Sequence, residues 1–202
     1  MRKLGNKISM ENKTVNYKNI YYPPGGILMW IIIFLELITF GLALIAMAYQ
    51  GKQEPELFHS SKLLLNTSFG TVNTVFLLTS GFFMAISVQY IKQKKIEKTK
   101  VFLKLTILGG FLFLLLKTIE YYTKIDAGYG IDYNTFFTYY WMLTLFHVIH
   151  VIVGLVILLS VYFGVKKQRG NFNIDDFEAS ATFWHMCDLI WLLLFPVIYL
   201  IF

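Results

Sequence analysis

Residues 137–165 read FTYYWMLTLFHVIHVIVGLVILLSVYFGV, a block without a single Asp, Glu, Lys or Arg. At about 1.5 Å per residue, such a helix is longer than the roughly 20 residues that cross a hydrocarbon core of about 30 Å. The excess is taken up by tilt, or by a first turn lying in the interface, where the amphipathic rings of Tyr139, Tyr140 and Trp141 would settle. Only lipid suits this helix as a solvent, and that decides how the rest of the chain is read.

Working outward, four more apolar blocks predict helices at 26–49, 69–91, 101–122 and 184–202. The expected fold is all-α, a polytopic bundle of five transmembrane helices. It forms one domain over 26–202, preceded by a basic, polar arm at 1–25. The first block is too long for the 7–15-residue core of a signal peptide and reads as a retained helix. The last helix could begin earlier, near Phe177, because Asp175 and Asp176 are good N-cap candidates and Glu178 would favour the positive end of the helix dipole.

Composition supports the lipid reading. The chain is 56% hydrophobic and only 15% charged, about ten points below the roughly 25% of soluble domains, so it could not cover itself with polar surface. Its net charge of +6 lies in short Lys and Arg tracts between apolar blocks and not on one face, which argues against nucleic acid. Cys187 is the only cysteine, which excludes an internal disulfide, a CxxC redox pair and a thiolate-rich metal site. No Walker loop, Rossmann fingerprint, Ser-His-Asp order or zinc signature is present.

The basic residues also orient the helices. Thirteen Lys and Arg fall in the arm and in segments 92–100 and 166–183, against three in the alternate loops. The positive-inside rule then puts the N-terminus in the cytoplasm and the C-terminus outside. Lys104 and Lys117 remain inside the third helix, where each is expected to snorkel to its nearer interface, Lys104 inward and Lys117 outward.

Ionisable side chains at membrane depth cost at least about 2.5–3.5 kcal/mol, so each needs a partner or a purpose. Glu36, His147, His150 and Asp188 sit well inside, and Glu36, His150 and Asp188 could meet at one depth. Residues three, four or seven apart share a helix side. His147, His150 and Gly154 form one such stripe. Trp184, Asp188 and Trp191 form another, with His185 three before Asp188. Gly70, Asn73, Thr74, Ser80, Gly81 and Ser87 give the second helix a small, polar side that permits close approach. Such groups could ligate haem through His147 and His185, hold copper or iron, carry protons through Glu36 and Asp188, or hydrogen-bond one another and fix packing. The metal readings are poorly supplied with ligands. His59 reads as a solvated loop residue, and Glu120, Tyr121 and Tyr122 as the outer end of the third helix.

Two strings point to a family. Phe136-Phe137 followed by Phe146-His147-Val148-Ile149-His150-Val151-Ile152-Val153-Gly154 resembles the paired phenylalanines and F-H-x-x-H-V-x-x-G of subunit III of the haem-copper respiratory oxidases. Phe177-Glu178-Ala179, then Trp184-His185-Met186-Cys187-Asp188-Leu189-Ile190-Trp191-Leu192, resembles its F-E-A and W-H-x-x-D-x-x-W-L. Trp30 to Glu36, Leu65-Asn66-Thr67, Thr79-Ser80-Gly81 and Glu120-Tyr121 resemble the family in the same order, so the likeness covers about 24–202. Leu35 and Leu145 depart from it, standing where Ser and Gly are common.

The resemblance is to the five-helix form, found in some bacterial quinol and cytochrome c oxidases and in a small protein associated with nitric oxide reductase. It implies an accessory subunit of the bacterial inner membrane with no catalytic, cofactor-binding or metal-binding residue of its own. Such a subunit packs on oxidase subunit I, with subunit II also a partner, binds phospholipid, and supports proton uptake and durability, while the partner subunits hold haem and copper. The nitric oxide reductase complex is the alternative partner.

Overall fold

The computed structural model describes residues 25–168 and 173–202, so the expected N-terminal arm lies almost wholly outside the described residues. Six helices follow in order: α1 Gly26–Gln53, α2 Pro55–Leu63, α3 Thr67–Lys92, α4 Ile96–Asp126, α5 Thr135–Gln168 and α6 Ile174–Tyr199. All but α2 are long and apolar enough to cross a membrane. No strand occurs among the described residues.

Where the sequence predicts a loop containing His59, the chain forms α2. Pro55 at its first turn supplies a preset φ and gives up no hydrogen bond there. Phe58 of α2 is fully buried against Phe136 and Phe202. Polar composition favours a loop, but one buried ring anchors the helix.

Helix ends also differ from the sequence reading. α4 runs to Asp126 and closes in a turn where Gly128 takes φ 81°, with Tyr129 N–H donating to the Lys124 carbonyl at 2.9 Å and Gly128 N–H to Ile125 at 3.0 Å. This is the left-handed close that glycine adopts most readily. α6 does begin early, at Ile174. Its cap is Asn173, whose side chain accepts from Asp175 N–H, and Asp175 and Asp176 occupy the first turn.

α6 is the central helix, packed on α1, α3 and α5. α3 and α4 form a long antiparallel hairpin, α5 packs on α4, and α1 lies outside against α6 and α5. The end holding α2, the α4–α5 turn and Phe202 is tied by Asn134 Nδ2 donating to Ser61 Oγ at 2.8 Å and by Lys124 Nζ donating to the Leu64 carbonyl. At the opposite end, Lys92 of α3 pairs with Glu178 of α6 at 2.7 Å. The pair joins the start of α6 to the α3–α4 hairpin.

Candidate functional site

The small, polar side expected on the second helix is buried in α3, with Gly70, Asn73, Ser80, Gly81 and Ser87 all inside. Ser80 Oγ donates to the Thr106 carbonyl of α4 at 2.7 Å and accepts from Trp184 Nε1 at 3.1 Å. Ser87 Oγ donates to the Thr99 carbonyl at 3.1 Å, and Trp191 Nε1 to Thr74 Oγ1 at 2.9 Å. These bonds satisfy the polar edges of two indoles that would otherwise be stranded in an apolar interior.

Trp184 fills a slot made by glycines. A Cβ on Gly110 would lie 2.6 Å from its ring and one on Gly154 2.9 Å. Three helices therefore meet on a single indole. Trp191, two turns further along the same side of α6, packs edge-on to Phe113 at 4.9 Å and against His147 at 5.3 Å.

Lys117 contradicts its expected place at the outer interface. Lys117 and Glu120 are each only 1% exposed, and Nζ lies 3.0 Å from Glu120 Oε2. Nζ also donates to Tyr199 OH at 2.9 Å, while Tyr199 OH donates to Glu120 Oε1 at 2.6 Å and Tyr140 OH to the same oxygen at 3.0 Å. The rings of Trp191, Tyr121, Tyr140 and Tyr199 surround the ammonium at 5.1 to 5.5 Å. Neighbouring π faces and a carboxylate thus replace water around the charge. Glu120 is an interior group, and Tyr121 is part of the cage; Tyr122 is the exposed member of the trio. Lys104 differs, being exposed on α4 with its ammonium 5.7 Å from the Tyr162 ring.

The mid-membrane acids and histidines separate into two pairs and a lone ring. Glu36 Oε2 lies 3.2 Å from His150 Nε2, within ion-pair reach but outside hydrogen-bond geometry. The other nitrogen, Nδ1, contacts the Phe146 carbonyl at 2.8 Å. That carbonyl can only accept, so Nδ1 carries the hydrogen and Nε2 is the nitrogen that faces Glu36. Asp188 does not join them. Its Oδ2 lies 3.5 Å from His185 Nδ1 and so close to Gly81 that a Cβ there would be 2.0 Å away.

His147 is fully buried among Phe40, Phe113 and Trp191, with neither ring nitrogen hydrogen-bonded. The stripe His147–His150–Gly154 thus addresses two neighbours. Residues three apart on a helix differ by about 60°, which here turns His147 inward among α1, α4 and α6 and His150 toward Glu36 of α1. His147 and His185 do not face one another, since His147 is enclosed and His185 is 44% exposed. Among the described residues, no three His, Cys, Asp or Glu side chains converge as a metal site.

A five-span bundle pinned by indoles, a caged lysine and paired intramembrane acids defines a polytopic membrane helix bundle. The cytochrome c oxidase subunit III family matches residues 7–201, and the chain belongs to that family, an accessory subunit of haem-copper oxidases. It is 30% identical over 173 residues to cytochrome bo(3) ubiquinol oxidase subunit 3 of Buchnera aphidicola, covering 85% of this chain and 84% of that one. It is 32% identical to the probable cytochrome c oxidase subunit 3 of Rickettsia conorii, over 64% of this chain but 46% of that protein. A haem-copper oxidase subunit I+III of Aeropyrum pernix is 28% identical over 86% of this chain and 22% of its own length. The chain is an integral protein of the bacterial inner membrane, associated with oxidase subunit I in a membrane complex.

Proposed function

We propose that this chain is a metal-free subunit III that packs on subunit I of a terminal oxidase, binds phospholipid, contacts subunit II and supports proton uptake and durability during turnover. The observation that carries the reading is the use of its membrane-depth polar groups: Lys117, Glu120, Trp184 and Trp191 all join helices to one another. The Aeropyrum relative, named subunit I+III, supports adjacency to subunit I. An apolar groove of about 380 Å³ between α1 and α5, lined by Phe40, Ala43, Met142 and Phe146, suits an acyl chain.

Glu36 separates an accessory role from an obligatory proton-carrying one. Glu36→Gln keeps the shape beside His150 and removes the titration. Oxygen consumption and proton uptake of the whole complex are expected to change only modestly, with subunit retention on a native gel unchanged. Complete loss of activity in an intact complex would make Glu36 an essential carrier and refute the accessory reading.

The orientation proposed for the bundle follows the thirteen-to-three distribution of Lys and Arg. Cysteine labelling from the two sides of the membrane should place positions 96 and 172 in the cytoplasm and positions 56 and 130 outside. Labelling of position 130 from the cytoplasm would reverse it.

A further inference from the structure

α1 and α3 both pack on α6 and leave a strip of α6 uncovered between them. The strip runs through His185, Leu189, Leu192 and Leu193, all exposed. Ile174 to His185 is about 16 Å at about 1.5 Å per residue, which puts His185 well inside a 26-residue helix. Its neighbour in sequence, Trp184, sits in the slot between Gly110 and Gly154 of α4 and α5. The half-exposed imidazole therefore lies well inside the apolar length of α6, away from both helix ends.

Acyl chains cannot hydrogen-bond such a group, whereas another helix can. His185 Nδ1 is directed at Asp188 Oδ2, 3.5 Å away, while the side chain as a whole stays 44% exposed. Nε2, the other ring nitrogen, makes no hydrogen bond among the described residues, and its complement is a polar side chain of a neighbouring helix. Leucines above it supply apolar contact, and Gly81 keeps α3 close to Asp188, so that the polar pair lies low beside the strip.

We infer that this strip of α6 between α1 and α3 seats a transmembrane helix of the catalytic subunit I, which presents a hydrogen-bonding side chain to His185. The inference rests on the proposed subunit III role and names the face that performs it. The complex itself provides the test. A benzophenone side chain built in at position 189 is irradiated in native membranes, and position 115, exposed on α4, serves as the comparison. The expected result is an adduct of this chain with subunit I from position 189. Lipid adducts alone from 189, or a subunit I adduct from 115 but not from 189, would overturn the inference while leaving the proposed function standing. Failure of any haem-copper subunit I to co-purify with the unmodified chain would instead remove the reading on which it rests.

Discussion

Lys117→Met is expected to destabilise the protein by about 3–5 kcal/mol, because it leaves Glu120 as an unpaired buried charge. Both side chains are 1% exposed, so water cannot take over from the lost ammonium. For a chain of this size that corresponds to roughly 10 °C in thermal midpoint, read as retention of the subunit in the oxidase complex after heating. Lys117→Met combined with Glu120→Leu removes both charges and should recover part of the loss, leaving the hydroxyls of Tyr140 and Tyr199 to find other acceptors at about 1–3 kcal/mol each. An unchanged midpoint for Lys117→Met would mean that the lysine reaches water after all.

The second large effect is expected at the Trp184 slot. Gly110→Val would put its Cβ 2.6 Å from the indole, and a leucine side chain of α5, Leu155, would lie 2.8 Å away. Neither is free to retreat, since Trp184 is fully buried, donates to Ser80, and has Gly154 behind it. Overpacking of this kind costs about 1–3 kcal/mol or more, and Trp184→Ala, which empties the slot, about 3–5 kcal/mol. Both variants should be lost from the complex on a native gel at temperatures the native subunit survives. A methyl group on Gly41 would meet nothing within 4 Å beyond its own stretch of helix backbone, so Gly41→Ala is the matched substitution that should leave retention unchanged.

The two results rest on features of unequal visibility in the sequence. The five apolar helices are readable because the bilayer imposes a length on each of them. The α3 stripe is readable because small and polar residues recur there at helical spacing, and all of Gly70, Asn73, Ser80, Gly81 and Ser87 are buried as that spacing implies. The cage around Lys117 is not. Three of its members, Tyr140, Trp191 and Tyr199, come from other helices, and Tyr199 lies 82 residues away. One local signal is present, Lys117-x-x-Glu120, the spacing at which two side chains meet on one helix face. Ending the helix at 122 outweighs it, because that end brings Lys117 within snorkelling reach of water; α4 in fact continues to Asp126.

The acids and histidines show the same limit. Depth along each helix can be counted, and Glu36 and His150, placed at one depth, lie 3.2 Å apart. Azimuth cannot be, because a 60° difference has no meaning until the neighbouring helices are placed. Asp188 therefore turns to His185 and Gly81 and not to Glu36. α2 escapes the sequence reading for a different reason: its helicity is set by Phe58 docking on Phe136 and Phe202, a contact between residues far apart in the chain.

An accessory subunit of a haem-copper oxidase can be recognised most directly by purifying the chain through an affinity tag from native membranes in mild detergent and measuring haem and copper per mole of each polypeptide. Subunit I should co-purify, with haem and copper scaling with it. When this chain is then stripped from the complex, the metals should remain with subunit I. Recovery of nitric oxide reductase subunits in place of oxidase subunits, or stoichiometric haem or copper leaving with this chain, would contradict that role.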